Sequence, residues 1–168
     1  SIISRVTVNE TAGLTSRFAW DPRGQSWVKL GADHLDDCDN YMRCGPNSNC
    51  DQAQVIKCSC LPGFEPKSPE PWSLGDRLLG CIRKPNASIC QHGEGFVKVE
   101  HVKVPDTAVA KQDMSLGLKQ CEGKCLTDCS CTAYSSAYYE SSNGVTGCLT
   151  WHGDMLDMRT FTNEGQDF

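Results

Sequence analysis

Cysteine is the residue type with the clearest capacity for chemistry in this chain of 168 residues. All 12 cysteines fall between Cys38 and Cys148, a stretch that is about 11% cysteine, a density typical of disulfide scaffolds. The spacings Cys58-x-Cys60 and Cys121-x3-Cys125 could also hold a metal. Structural zinc sites of this kind belong to reducing compartments, whereas a high and even cysteine count is typical of small secreted domains. The pattern therefore favours disulfides over zinc.

The other residue types that do chemistry form no recognisable catalytic site. The histidines match no nucleophile or metal motif, and they are scattered at His34, His92, His101 and His152. The sequence also lacks a phosphate-binding loop in a strand–turn–helix setting. We therefore expect no catalytic residues, no bound metal and no cofactor.

A group of aspartates precedes and follows the first cysteine. Its members are Asp33, Asp36, Asp37 and Asp39. Calcium-binding modules carry acidic residues at this place because Ca²⁺ prefers six to eight oxygen ligands. The run that such modules place before the first cysteine is absent, so we interpret the group as a solvated acidic turn.

Charge and hydropathy exclude two further classes. The chain has 16 Lys+Arg against 21 Asp+Glu, a net charge of −5, which gives no basic surface for nucleic acid. No apolar run approaches the roughly 18–20 residues of a membrane span, and no signal peptide opens the chain. We expect a piece cut from a longer protein of the secreted type.

Two tripeptides match the acceptor for N-linked sugar. They are Asn9-Glu10-Thr11 and Asn86-Ala87-Ser88, and neither has proline at its centre. Because both fall in predicted loops of a chain with secretory features, we predict glycosylation at Asn9 and Asn86.

Hydrophobic patterning predicts mainly strands. The cysteine-free start carries β-branched and aromatic runs at 2–8, 14–20 and 25–30, and Asp21-Pro22-Arg23-Gly24 is a turn sequence between the last two. Residues 97–104 alternate apolar and polar side chains and predict a strand that ends at Pro105. The spacing of Leu118, Cys121 and Cys125 predicts a helix over 118–126, with Gly117 as its cap. Two further strands are predicted at 131–135 and 147–151.

The cysteines divide into two groups of six, which sets the predicted domains. Residues 38–81 hold the first group and 82–168 the second, and we place the boundary in the bridge around Pro85. Between Cys60 and Cys81 the prolines predict an ordered loop rather than a helix, with Trp72 packing over it. Residues 1–37 form a separate segment, which must pack on something because two or three isolated strands are marginally stable.

Several motifs resemble one plant family along nearly the whole chain. Cys38-Asp39-x-Tyr41-x2-Cys44-Gly45, Cys58-x-Cys60-Leu61-x-Gly63-Phe64 and Gly80-Cys81-x-Arg83 resemble the EGF-like module of plant S-locus glycoproteins and receptor kinases. Cys121-x3-Cys125-Leu126-x2-Cys129-Ser130-Cys131 and Gly147-Cys148-Leu149-x-Trp151 resemble the PAN (apple-type) module that follows it. Arg17-Phe18-x-Trp20 and Trp27 resemble the end of the S-locus glycoprotein domain. Residues 1–37 would then be the C-terminal remnant of that domain.

The resemblance implies a fold and a disulfide pairing. The fold is small, disulfide-rich and mainly β, with an EGF-like module followed by a PAN/apple module whose antiparallel sheet is crossed by one helix. Sequence alone allows 15 pairings for each six cysteines. The resemblance implies Cys38–Cys50, Cys44–Cys58, Cys60–Cys81, Cys121–Cys148, Cys125–Cys131 and, as the remaining pair, Cys90–Cys129.

The resemblance also implies a function. The chain would be a non-catalytic extracellular region for recognition and receptor pairing in a plant cell-surface Ser/Thr receptor kinase of the G-type lectin class, acting in self-incompatibility or defence-type signalling. Its partners would be a protein or a small secreted ligand, with homo- or hetero-dimerisation of ectodomains, on the outer side of the plasma membrane. The alternatives are part of a secreted S-locus-like glycoprotein without a kinase, or a carbohydrate-binding module.

One segment has the composition of a binding loop. Residues 134–144 are rich in Tyr, Ser, Asn and Gly, and tyrosine gives a large contact area at little entropic cost. The favoured interpretation is a solvated hairpin whose tyrosines cover the sheet. The sharper hypothesis is that Tyr138 and Tyr139 contact a partner.

Overall fold

A computed structural model describes residues 2–9, 14–34, 36–85, 95–137, 147–162 and 165–166. The chain divides into two compact units, Ser1–Asn40 and Tyr41–Phe168. None of the helices in these described ranges is long and apolar enough to cross a membrane.

The first unit is an antiparallel meander of three strands. These are β1 (Ser4–Asn9), β2 (Leu14–Asp21) and β3 (Ser26–His34), in the spatial order β1-β2-β3. The predicted turn forms before β3, where the Asp21 carboxylate accepts a hydrogen bond of 2.9 Å from the Arg23 amide. The three predicted strands of this segment are therefore confirmed.

Both faces of this meander carry apolar side chains. On one face Trp20 and Trp27 are cross-strand partners with ring centroids 5.4 Å apart, and the Arg5 guanidinium lies 4.3 Å from the Trp27 ring. On the other face Val6 and Val8 are 57% and 64% exposed. Exposed apolar side chains on a sheet face are typical of a surface that packs against another element.

The second unit begins with small paired strands and a short helix. These elements are β4 (Ser48–Asp51), β5 (Cys58–Cys60), β6 (Phe64–Pro66), α1 (Pro69–Ser73) and β7 (Cys81–Arg83). Strand β6 pairs with β7, and β5 pairs with β4. Gly80 is required before β7, because its φ is +62° and a Cβ there would lie 2.2 Å from the Pro46 carbonyl oxygen.

The rest of the second unit contains a three-stranded sheet crossed by one helix, and two further strands. The elements in chain order are β8 (Val102–Lys103), β9 (Lys111–Asp113), α2 (Leu118–Thr127), β10 (Ala133–Ser136), β11 (Cys148–Trp151) and β12 (Met158–Thr160). Strands β10, β11 and β9 form an antiparallel sheet, and α2 packs on β10 and β11. Gln120 caps α2 by accepting a hydrogen bond of 3.0 Å from the Gly117 amide. The predicted helix and the two strands beside it are confirmed, as is the small, disulfide-rich, mainly β fold.

Trp151 lies at the centre of the core of the second unit. It is fully buried, and its indole N–H donates a hydrogen bond of 3.0 Å to the Asp106 carbonyl. The other buried members of this core are Leu61, Val102, Ala133, Leu149, Met155 and Met158. Because Leu61 belongs to the first cysteine group and the rest to the second, one core serves both groups.

Two local predictions are wrong. The strand predicted over 97–104 is reduced to β8, because His101 has a φ of +56° and Val97, 65% exposed, has no neighbouring strand among the described residues. Alternation alone does not make a strand when the backbone has no partner. The predicted loop between Cys60 and Cys81 contains α1, which starts at Pro69, where a fixed φ suits the first turn of a helix. Trp72 lies in this helix half-buried, with the Arg77 guanidinium 5.6 Å from its ring centre.

Candidate functional site

Disulfides hold both halves of the second unit. Cys44 bonds to Cys58 and Cys60 to Cys81 in the first half; Cys121 bonds to Cys148 and Cys125 to Cys131 in the second. These four pairs coincide with pairs that the resemblance implies. Cys38, Cys50 and Cys129 are also disulfide-bonded, whereas Cys90 lies outside the described residues. Each such bridge contributes about 2–4 kcal/mol by limiting the unfolded chain.

The same sulfurs bear on the metal question. Among the described residues, the ligand atoms close enough to share one ion are the sulfurs of Cys44, Cys50 and Cys58, within 4.8 Å of one another. All three are disulfide-bonded, and a disulfide sulfur is not the thiolate that zinc requires. This cluster is therefore a product of disulfide packing.

A shared sheet joins the two cysteine groups. Strand β12, from the end of the chain, pairs in parallel with β4 and antiparallel with β8, which gives the order β5-β4-β12-β8. The Asn49 amide on β4 donates a hydrogen bond of 2.6 Å to the Thr160 hydroxyl on β12. We call this contact region the module junction.

Asn47 makes the densest set of contacts in the module junction. This residue is 4% exposed. Its side-chain NH₂ donates hydrogen bonds to the Cys81 carbonyl at 3.0 Å and to Asp154 Oδ1 at 2.7 Å. Its Oδ1 accepts a hydrogen bond of 3.0 Å from the Met155 backbone amide. The backbone N–H of Asn47 also donates a hydrogen bond of 2.7 Å to the Met155 carbonyl. Buried polar groups that are paired in this way fix one relative placement of the two segments.

Polar contacts extend the module junction to its rim. The Tyr41 hydroxyl donates a hydrogen bond of 2.7 Å to Asp106 Oδ2. This bond raises the pKa of Tyr41. The pKa of Asp106 is lowered mainly by the hydrogen bond from the Ala108 backbone amide, and to a smaller extent by the bond from Tyr41. Asp157 accepts from the Met42 amide at 2.8 Å and pairs with the Lys103 ammonium.

A polar cleft of about 100 Å³ lies between α2, β9 and β11. Its lining is mostly charged or polar and includes the disulfide-bonded Cys125, Cys131 and Cys148. The lining residues used below are Lys111, Asp113, Lys124, Asp128, Thr150 and His152. Lys111 on β9 and Thr150 on β11 are cross-strand partners, and Lys124 lies on α2, so all three elements contribute to the lining.

Both carboxylates in the cleft are held by local donors. The Ser115 hydroxyl at 2.6 Å and the Lys124 ammonium at 2.9 Å lower the pKa of Asp113 to about 2. The pKa of Asp128 is lowered mainly by the hydrogen bond of 2.6 Å from the Ser130 hydroxyl, and next by the bond from the Ser130 backbone amide. The cleft therefore keeps two ionised carboxylates that already have partners.

His152 lines the cleft and contacts three of its neighbours. Its Nδ1 lies 2.9 Å from the Ser130 hydroxyl and 3.6 Å from Asp128, and its Nε2 lies 3.1 Å from the Thr150 hydroxyl. These contacts hold the imidazole in one orientation, in the way an ordinary structural histidine is held.

The residues predicted to contact a partner or to carry sugar are only partly described. Tyr138, Tyr139 and Asn86 lie outside the described residues, whereas Asn9 is the exposed last residue of β1. The described base of the 138–146 segment is anchored, because the Ala137 amide donates a hydrogen bond of 3.3 Å to the Gly147 carbonyl. On strand β10, the Tyr134 ring packs edge-on against the Phe96 ring, with the ring centroids 4.9 Å apart.

The acidic group near the first cysteine forms a helix cap. Asp36 Oδ1 accepts from the Cys38 amide at 2.6 Å, and Asp39 Oδ2 accepts from the Asp36 amide at 2.9 Å. These reciprocal bonds are a capping box for the short 3-10 helix Asp37–Asp39. Asp36 and Asp39 thus have a structural explanation.

Sequence reasoning missed the module junction and the polar cleft. Partners in the junction are 34 to 115 residues apart along the chain, so no local spacing connects them. One wall of the cleft is β9, whose three residues Lys-Gln-Asp carry no strand signal. A signal did exist for Asn47, because Gly45-Pro46-Asn47 is a turn sequence whose asparagine adopts a φ of +55°.

Comparison with known proteins agrees with this architecture. Residues 90–158 match the PAN-like domain family, and residues 1–68 match the S-locus glycoprotein domain family. The G-type lectin S-receptor-like serine/threonine-protein kinase RKS1 of Arabidopsis thaliana is 51% identical over 170 residues, which cover all of this chain and 20% of the kinase. The receptor-like serine/threonine-protein kinase SD1-8 of the same plant is 39% identical over 166 residues, which cover 99% of this chain and 19% of the kinase.

A second kind of relative has no kinase in its name. The S-locus-specific glycoprotein S6 of Brassica oleracea is 38% identical over 168 residues, which cover 99% of this chain and 37% of the glycoprotein. The chain thus spans about a fifth of the receptor kinases that it matches.

These matches define the class of the chain. It is an ectodomain-type region with an S-locus glycoprotein segment and a PAN domain. Over its whole length it is similar to plant G-type lectin S-receptor-like kinases and to S-locus glycoproteins.

Proposed function

We propose that this chain is the extracellular recognition and pairing region of a plant cell-surface receptor kinase. The observation that carries the proposal is the 51% identity to a G-type lectin S-receptor-like kinase over all of this chain. The intact parent would be a single-pass Ser/Thr kinase of the plasma membrane, and this piece would be non-catalytic and lie outside the cell. Its partners would be a second ectodomain, another protein or a small secreted ligand.

The predicted organisation supports this role. We propose a remnant of the S-locus glycoprotein domain at 1–37, an EGF-like module at 38–81 and a PAN/apple module at 82–168, with Cys38–Cys50 and Cys90–Cys129 as the remaining bridges. Sugars at Asn9 and Asn86 would suit an extracellular chain. The module junction supports a rigid spacer, since β4 and β12 share one sheet.

Sedimentation velocity of the secreted chain tests pairing between copies. Pairing predicts that the mass rises with concentration from that of the glycosylated monomer, whose polypeptide is 18.4 kDa, towards twice that value. A constant mass contradicts pairing of the isolated region. The double variant Tyr138→Ala/Tyr139→Ala, checked for unchanged melting, tests the proposed contact loop. If its self-association and its binding to the complete ectodomain stay within about twofold of the parent, this loop is not the recognition surface.

A secreted glycoprotein without a kinase is the second candidate, and the 38% identity to an S-locus-specific glycoprotein favours it. The coding sequence after residue 168 discriminates the two, because a receptor needs an apolar span of about 20 residues. A glycan array on this chain tests the remaining candidate, a carbohydrate-binding module.

A further inference from the structure

The turn between β4 and β5 exposes two adjacent apolar side chains. It spans residues 52–57, and within it Val55 is 100% exposed and Ile56 is 64% exposed. Exposed apolar residues that are scattered singly need no explanation, but these two are neighbours and stand together at the end of a hairpin. We call residues 52–57 the hairpin tip.

The base of the hairpin tip is held by hydrogen bonds and a disulfide. The Asp51 backbone N–H donates a hydrogen bond of 2.7 Å to the Lys57 carbonyl, and the Ala53 backbone N–H donates one of 2.9 Å to the Asp51 carboxylate. The Cys44–Cys58 bridge holds the strand that leaves the turn. The two apolar side chains are therefore presented by an anchored backbone, which lowers the entropic cost of a contact.

The strand register shows at which end of the four-stranded sheet the hairpin tip lies. Strand β12 runs parallel to β4 with Thr160 opposite Asp51, and it runs antiparallel to β8 with Thr160 opposite Val102. Asp51, Thr160 and Val102 are therefore level with one another across the sheet. The hairpin tip extends beyond this row, since it follows Asp51 in the direction of β4.

The described end of the chain returns to the same end of the sheet. Gln166 forms an antiparallel bridge with Val102 through hydrogen bonds of 2.8 Å and 3.0 Å. Because β12 and Gln166 are both antiparallel to β8, the backbone at Gln166 runs in the direction of β12 and β4. It is thus directed toward the end of the sheet that carries the hairpin tip.

A membrane span downstream of Gln166 would turn this end of the sheet toward the lipid. We propose that the hairpin tip contacts the outer surface of the plasma membrane, with Val55 and Ile56 in the interfacial layer of the lipid. This contact rests on the proposed receptor function, which places the span after the ectodomain. Two aliphatic side chains bind lipid weakly on their own, but a tethered chain holds them beside it at a high effective concentration.

Tethering the complete chain to a nanodisc tests the contact. A C-terminal polyhistidine tag binds nickel-chelating lipid in a phosphatidylcholine nanodisc and takes the place of the span, and a gadolinium-labelled lipid reports proximity. The ¹⁵N amide signals of the hairpin tip should relax faster than those around Leu78, which is 67% exposed and lies near Gly45, ahead of β4. Equal relaxation at the two places, or faster relaxation around Leu78, would overturn the proposal.

A matched pair of variants separates contact from proximity. Val55→Ser/Ile56→Ser should weaken the apparent affinity of the tagged chain for the nanodisc at least about threefold, because the tip contact adds to the tether. Leu78→Ser removes an exposed apolar side chain near the other end of β4 and should leave that affinity unchanged. Equal affinities of the parent and both variants would show that the hairpin tip touches no lipid, and the proposal would be wrong.

A protein contact at the hairpin tip would give a different result. If the signals of residues 52–57 shift with protein concentration in the untethered chain, the tip binds a second copy and the membrane contact is overturned. Because the tag supplies the anchor, a negative nanodisc result counts against the tip alone. A coding sequence without an apolar span after residue 168 counts against the receptor function, and against a membrane contact in the native protein, whatever the nanodisc shows.

Discussion

Asn47 connects the two cysteine groups through a single buried side chain. Its φ of +55° suits asparagine or glycine, so Asn47→Gly removes the side chain without adding backbone strain. The variant should lower the free energy of unfolding by about 2–6 kcal/mol, because the Cys81 carbonyl and the Met155 amide each lose a partner worth about 1–3 kcal/mol.

Chemical denaturation of the oxidised chain measures this effect. Asn40→Ala changes an exposed asparagine with a negative φ, whose side-chain hydrogen bond to the Asp37 carbonyl is also exposed. It is the control, with an expected change within about 0.5 kcal/mol. If the two variants unfold at the same denaturant concentration, the hydrogen bonds of Asn47 do not stabilise the junction.

Asp113 gives the cleft a defined pH dependence. Its pKa is about 2 in the folded chain, below the usual aspartate value of about 3.9. A carboxyl group with a lowered folded pKa stabilises the protein above its unfolded pKa, and this stabilisation is lost as the pH falls from about 4 to about 2. Asp113→Asn should therefore flatten the loss of stability across this window.

Carboxyl NMR and denaturation at each pH check this prediction. The Asp113 signal should titrate near pH 2 and should move to higher pH in Lys124→Gln, which loses one donor. Asp76→Asn, a change of an exposed aspartate outside the cleft, is the control for the acid limb. A titration midpoint near pH 4 would contradict the described hydrogen bonds.

At the level of elements, β12 couples the two cysteine groups by pairing with β4 and with β8. Met158 on this strand is 3% exposed and is the register partner of Asn49 on β4. Met158→Ala should cost about 2–5 kcal/mol, and hydrogen exchange should quicken in β4 and β5 as well as in β8 and β12.

Met114→Ala is the matched control, since this methionine is 43% exposed. It should leave the exchange rates of all four strands nearly unchanged. Faster exchange confined to β8 and β12 in Met158→Ala would show that the modules open separately.

The elements also show which features local sequence can predict. The strands at 133–136 and 148–151 and the helix at 118–127 follow from patterns that repeat within a few residues. The extended run before His101 carries a similar pattern, but the backbone turns at a positive φ and loses its pairing. The β4–β12 pair depends on contacts across about 110 residues. The cleft depends on the pairing of β9 with β11, whose partners lie 35 to 39 residues apart, and no local pattern encodes either contact.

For the whole molecule, the disulfide map tests the division into modules. Mass spectrometry of non-reduced peptides should find Cys44–Cys58, Cys60–Cys81, Cys121–Cys148 and Cys125–Cys131. It should also find the two proposed pairs, Cys38–Cys50 and Cys90–Cys129. A free thiol, or a bridge between the 38–81 and 90–148 groups, would contradict the two-module organisation.

The most direct test of the proposed recognition function is binding of this chain to the complete ectodomain of its parent receptor. With the ectodomain immobilised, the oxidised chain should bind in a saturable way with a Kd below about 100 μM. The same chain, reduced and alkylated, should not bind, because the disulfides hold both modules in shape. Absence of saturable binding by the oxidised chain at that concentration, or equal binding by the reduced chain, would contradict a pairing role for this region.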